Sequence, residues 1–259
     1  TLMPPIIIPL YYQLLQAYKP SLSTIPQPVP TAYIQSTDPS TPSSNVKIAL
    51  LGDSMIDTLD LNLCQKSFNR YLPHNKIEFL KYGYGATNID TAPERLTQNT
   101  TYLDQNNPSI LSLNPDIIVV ESFAYNNFGN TSTGIDRHTE KLKEIVKIIR
   151  ENNPETQILL SATIAPNSLV YAQGIKNLKL TSLDRIERTS TIKLYLENTI
   201  NFAQKNNLPL ADTYHQSLMN NNGILELIDP SSYIHPSPLG IELYCKKKKK
   251  STFDNQLIK

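Results

Sequence analysis

Residues 46–55 read VKIALLGDSM. The first six form a short, nearly continuous apolar run that stops at Gly52, the pattern of a strand buried on both faces. Similar runs recur at 76–82 (KIEFLKY), 116–121 (DIIVVE), 157–162 (QILLSA) and 208–212 (LPLAD). Helical patterns lie between them. Leu142, Ile145, Val146 and Ile149 fall at i, i+3, i+4 and i+7, and Asn152, Asn153 and Pro154 end that helix. Leu196, Ile200 and Ala203 share the face of a second helix, for which Thr181 and Asp184 offer a start resembling a capping box. Five strands alternating with helices predict an α/β fold, a parallel sheet covered on both sides. In such a sheet chemistry gathers at the carboxyl ends of the strands, so the residues just after each strand are the ones to read.

Composition narrows the function. The 259 residues include 24 Lys or Arg and 23 Asp or Glu, a net charge of +1, and five of the cations form one run at 246–250. Without that run the chain is mildly acidic, so it lacks the spread of cations that grips a phosphate backbone, and no nucleic-acid partner is expected. The run itself reads as a solvated tail at or beyond the end of the last helix. Cys64 and Cys245 are far apart and in no metal-like spacing, so neither a disulfide framework nor a zinc cluster is indicated.

Nine of the 19 prolines fall in the first 45 residues, and 20–45 is otherwise mostly Ser, Thr, Gln and Asp, the composition of an extended linker. Before it, 2–15 is apolar but carries Pro4, Pro5 and Pro9 and is shorter than the roughly 18–20 residues that span a bilayer. The expected organisation is an N-terminal segment and linker over 1–45 and one domain over 46–259. The chain begins with Thr, in keeping with a fragment whose upstream part carried a signal peptide or anchor. An apolar start followed by a Pro/Ser/Thr tether points to an extracytoplasmic domain, secreted or membrane-tethered, the alternative being a loosely packed arm.

Four short motifs follow the strands. Ser54, in Gly52-Asp53-Ser54-Met55, stands on a strand-to-helix turn that exposes a hydroxyl and a backbone N–H above the sheet, as a nucleophile requires, although Asp and Ser are also ordinary turn and cap residues. In 82–88 (YGYGATN) the third glycine of a dinucleotide loop is replaced by Asn88, so a nucleotide reading is weak. Gly85 could instead present an unobstructed N–H to an oxyanion, or simply make a turn. In 121–129 (ESFAYNNFG) Asn126 is placed either to offer its amide to an oxyanion or to form an Asx turn. His235 precedes Ser237 and Pro238, which read as N-cap and first residue of a final helix; it is either a general base or a solvated bystander.

Taken together and in this order, the motifs resemble the blocks of the SGNH or GDSL hydrolases, serine esterases with a flavodoxin-like fold, over about four fifths of the chain. The resemblance implies a three-layer α/β/α sandwich with a five-stranded parallel sheet. It makes Ser54 the nucleophile and His235 the base, with an oxyanion hole from the N–H groups of Ser54 and Gly85 and the Asn126 side chain. It implies an ester substrate and no metal or organic cofactor; a small-molecule or carbohydrate ester is expected, and because the polar loop 127–134 and the segment 164–181 could meet sugar hydroxyls, O-acetyl groups of a glycan are the leading expectation. Two departures stand out. The third block, usually Gly-x-Asn-Asp, is Ala124-Tyr125-Asn126-Asn127, and the acid three residues before the histidine is replaced by Ser232. Asp229 from a lengthened loop, a Ser–His dyad or an inactive site are the three ways to read this, and an inactive site would leave a glycan- or acyl-binding module. Asp212-Thr213-Tyr214-His215 spells the missing spacing literally but lacks the Pro and Gly that follow His235. A receiver-like domain with Asp53 as phosphoacceptor fits poorly, because its acidic cluster and lysine are not in place. The polar stretch 127–134 and the segment 164–181 are expected to border the pocket.

Overall fold

The computed structural model describes residues 45–70, 75–255 and 257, so the expected N-terminal segment and linker lie outside the described residues. Strands β1 (Asn45–Gly52), β2 (Lys76–Gly83), β5 (Ile117–Glu121), β6 (Gln157–Ala162) and β7 (Leu210–Asp212) form one parallel sheet in the order β2-β1-β5-β6-β7. The two short strands between β2 and β5, β3 (Thr100–Tyr102) and β4 (Gln105–Asn107), pair with each other as a hairpin. All five expected strands are present, with no end moved by more than two residues.

Alternation along β1 shows why the sheet is covered twice. Ala49 and Leu51 face a core shared with α3 (Ala92–Thr97), α4 (Ser132–Asn152) and α5 (Ser182–Lys205), whereas Ile48 and Leu50 face α2 (Leu61–Asn69) and α6 (Pro238–Asp254). The three-layer α/β/α sandwich is thus a direct result of apolar runs with no polar face. Thr181 and Asp184 close a full capping box at α5, each side chain accepting from the other's backbone N–H. Ser237 caps α6 by accepting from Gly240 N–H at 3.2 Å. Among the described residues, no helix is long and apolar enough to cross a membrane. The chain order reverses between β1 and β5, and the crevice at that point is where the motifs meet.

Two expectations are corrected. Cys64 and Cys245 form a disulfide across 181 residues of sequence. The reason is that α2 and α6 pack side by side on one face of the sheet, a pairing that sequence spacing does not reveal. Closing so long a loop restricts the unfolded chain, and losing such a bridge typically costs about 2–5 kcal/mol. Cys64→Ser is expected to lower the melting temperature by roughly 2–4 °C per kcal/mol lost, and added reductant should do the same to the parent protein. An unchanged melting curve in both experiments would show that the bridge contributes nothing.

The lysine run is not a solvated tail. It lies inside α6, and Lys248 continues the buried stripe of Ile241, Tyr244 and Cys245, with only 3 % of its surface exposed. Its ammonium donates to Ser161 Oγ at 3.1 Å and sits over the Tyr244 ring. Lys249 is buried as well, whereas Lys246 and Lys250 are exposed. Five identical residues hide the helical period, which is why composition alone misreads them.

Candidate active site

The turn after β1 is built by close approach. Any side chain on Gly83 would strike the backbone of Asp57 at 2.3 Å, so only glycine lets the end of β2 pass beside helix α1 (Ser54–Asp57). Asp53 is fully buried and caps α1, its Oδ1 accepting from Met55 N–H at 2.8 Å. Beneath the turn, the Arg95 guanidinium donates to Gly52 O at 2.6 Å and Tyr82 O at 2.9 Å, tying the ends of β1 and β2 together. Burial lowers its pKa to about 10, against the pull of Tyr84, Asp53 and Glu121, which leaves it charged at neutral pH.

Asn126 lies in a single 3-10 turn after β5 and donates Nδ2–H to Asp53 Oδ2 at 2.8 Å. Burial raises the Asp53 pKa, while the Met55 N–H and then the Asn126 amide pull it back down; the second N–H of that amide remains to be offered elsewhere. Asn127 has a different role. Its amide donates to Ala124 O and its oxygen accepts from Gly129 N–H, which makes it a turn residue. Gly85 sits next to the Ser54 turn, with Ser54 Cβ 4.0 Å from where a Gly85 Cβ would stand. Its N–H donates to the Tyr102 hydroxyl at 2.8 Å, and that hydroxyl donates to Asp57 Oδ2 at 2.7 Å.

His235 is carried by a loop that packs on α1, the helix that begins with Ser54. Met55, the neighbour of Ser54, shares a hydrophobic cluster with Ile228, and Tyr233 packs against it. Ser232, which stands where the acid is missing, shapes the loop by accepting from the backbone N–H of Ile234 at 3.1 Å and of His235 at 3.2 Å. The Asp229 carboxylate accepts from Ser231 N–H and hydroxyl, while its own backbone N–H bonds to His235 O. Among the described residues, no hydrogen bond holds the His235 imidazole. Burial lowers its pKa, and the charges of Asp229 and Asp57 partly offset this. Asp57, one turn after Ser54, and Tyr102 were not singled out in the sequence reading, and no local motif marks them.

His215 is engaged on both ring nitrogens, by Asp212 at 2.7 Å and Glu197 at 3.1 Å. Burial pulls its pKa down, but the two carboxylates outweigh that and the net shift is upward. Ala86, Phe123 and Tyr233 all adopt positive φ, each within three residues of Gly85, Asn126 or His235. A left-handed non-glycine residue costs about 1–2 kcal/mol, so all three crevice loops are held in strained turns by their surroundings.

Below the crevice lies a buried charge cluster. Glu121, at the end of β5, accepts from Ser122 Oγ and Phe123 N–H. Burial first, and then Asp53, raises its pKa to about 8, against the opposing pull of these donors and of Lys248. A cavity of about 500 Å³ opens beside Asn126, lined in part by Tyr125, Tyr171, Asn130, Glu187 and Arg188. Among the described residues, no group of three His, Cys, Asp or Glu side chains is placed to hold a metal.

The sequence profile of the GDSL-like Lipase/Acylhydrolase family matches residues 50–243, about three quarters of the chain and all four motifs. This chain belongs to that family. Its GDSL-like fold is shared with solved structures. An acetyl xylan esterase named AlAXEase superposes with a TM-score of 0.57 at 17% identity, over 80% of this chain and 99% of that one. Axe2, an acetylxylan esterase from Geobacillus stearothermophilus, gives 0.55 at 12% identity over 81% and 95%. A GDSL-like lipase from Bacteroides thetaiotaomicron VPI-5482 gives 0.55 at 11% identity over 81% and 88%. No curated protein matches the chain. Membership of a GDSL-like acylhydrolase family supports ester hydrolysis as the general activity of this protein.

Proposed function

We propose that this GDSL-family protein hydrolyses an acetyl or other short acyl ester through a Ser54 acyl-enzyme. The observation that carries the reading is the packing of the His235 loop on Met55, which brings an imidazole-bearing loop to the nucleophile turn from 181 residues away in sequence. His235 accepts the Ser54 proton as Oγ attacks the acyl carbon. Charge on the carbonyl oxygen is met by the Ser54 and Gly85 N–H groups and by the second N–H of Asn126. The imidazole then protonates the leaving alcohol, and water enters with His235 again as base. Ser54 and His235 work as a dyad, with Ser232 shaping the loop and the carboxylates of Asp229 and Asp57 stabilising the imidazolium through space. No cofactor takes part in this scheme.

The cavity beside Asn126 supports a carbohydrate ester. It combines two tyrosine rings, 6.5 Å apart, with amide and charged side chains that suit sugar hydroxyls. The disulfide supports an extracytoplasmic location, since such bridges persist in oxidising compartments. On this reading the apolar segment and Pro/Ser/Thr-rich linker expected over 1–45 precede a catalytic domain over 46–259. One observation favours a second reading, a binding module without turnover: among the described residues, no hydrogen bond orients the His235 ring. Acetate release from a chromogenic acetyl ester and from an acetylated xylan decides between them. Hydrolysis that disappears in Ser54→Ala supports the esterase, equal rates with and without the serine sink it, and release from the chromogenic ester alone removes the glycan.

A further inference from the structure

The Gly85 amide, the second donor of the oxyanion hole on the reading above, is already in use. Its N–H points at the Tyr102 oxygen, 2.8 Å away, and a side chain on Gly85 would stand 3.0 Å from that same atom. The phenol's single proton goes to Asp57 Oδ2, so the face of the oxygen turned to Gly85 is a lone pair. An oxyanion placed there would meet a lone pair and no donor. A backbone N–H makes one strong hydrogen bond, so the phenol and a substrate carbonyl oxygen compete for it.

The setting of Tyr102 is that of an inserted plug. It ends strand β3, and its ring stacks on Tyr84 at 4.4 Å and 7°, next to the residue whose amide it occupies. Tyr84 is in turn bonded to Thr100 of the same hairpin. Among the described residues the hairpin pairs with no other strand, and it turns at Leu103 and Asp104, both left-handed, with Leu103 74 % exposed. Without a wider sheet to brace it, a two-stranded element depends on these side-chain contacts, and they are where it can yield. Asp57 provides an acceptor that can keep the hydroxyl once it leaves Gly85.

We propose that Tyr102 is an autoinhibitory residue: its hydroxyl holds the oxyanion position in the free protein, and the acyl oxygen of the substrate must displace it from the Gly85 N–H. This rests on the assignment of Ser54 and Gly85 made above. Tyr102→Phe keeps the stacked ring and removes only the plug. In the full chain, Ser54 labelling by a fluorophosphonate, whose P=O oxygen takes the oxyanion position, should accelerate about three- to tenfold, the factor expected when one neutral hydrogen bond no longer competes. KM for a small acetyl ester should fall more than kcat changes. Hydrogen exchange of the Gly85 amide, read by NMR without any ligand, should speed up. Tyr102→Ala, which removes ring and hydroxyl, should also label faster, whereas a residue needed only for structure would slow labelling in both variants. Unchanged or slower labelling of Tyr102→Phe, with its melting temperature retained, overturns the proposal. If no Ser54-dependent labelling occurs in any form, the esterase reading fails instead, and unaltered Gly85 exchange in Tyr102→Phe then overturns the plug separately.

Discussion

His235→Ala is expected to reduce kcat on a chromogenic acetyl ester by about 10³-fold or more, while His215→Ala keeps most of the turnover. Losing the base of a serine hydrolase removes proton transfer in both half-reactions, and what survives comes from the oxyanion donors and binding alone. The structure adds a second, independent readout, because the two histidines are shifted in opposite directions. Burial, only partly offset by Asp229 and Asp57, puts His235 below the usual 6.5, whereas Asp212 and Glu197 overcome burial and put His215 above it. A base works deprotonated, so kcat/KM should rise with pH and reach half its plateau below pH 6.5. A midpoint above 6.5 that disappears in His215→Ala would transfer the role to His215 and end the present assignment.

The second large effect is expected at Asn126. Asn126→Ala should lower kcat by about 10²–10³-fold with little change in KM, the usual result of deleting one oxyanion donor. From the sequence alone this substitution should have little effect on folding, and the structure changes that expectation. Asn126 Nδ2 donates to Asp53, a fully buried carboxylate, so the alanine variant leaves that oxygen without its donor. Stranding a buried acceptor costs about 1–3 kcal/mol, which should be visible as a lower melting temperature. Kinetics should therefore be measured well below the transition. Asn127→Ala serves as the comparison: it disrupts a turn and should leave kcat within a small factor of the parent. Equal turnover in the parent and Asn126→Ala would remove Asn126 from the oxyanion hole.

Asp53 illustrates how a modest local reading and a functional one can both hold. In sequence it is an ordinary N-cap, and the structure has it capping α1 through Met55 N–H. Its second oxygen meanwhile reaches 73 residues along the chain to orient Asn126. One carboxyl group thus sets both the Ser54 turn and the amide beside it. Local pattern could predict the first role, because a cap acts within three residues, but it carries no trace of the second.

The same division runs through the molecule. Short apolar runs alternating with helical patterns were sufficient by themselves to place five strands and their parallel pairing, and so the edge of the sheet at which to look for chemistry. These properties depend on periodicity over fewer than ten residues and on the handedness of strand–helix–strand units, which every such chain obeys. The Cys64–Cys245 bridge, the burial of Lys248 beside Glu121, the double engagement of His215 and the Tyr102 hydroxyl on Gly85 were decided only by tertiary structure. Each joins groups brought together by helix packing on the sheet or by an inserted hairpin. A contact energy that depends on which faces meet leaves no period in the sequence, so the positions of these side chains became visible only once the layers were assembled.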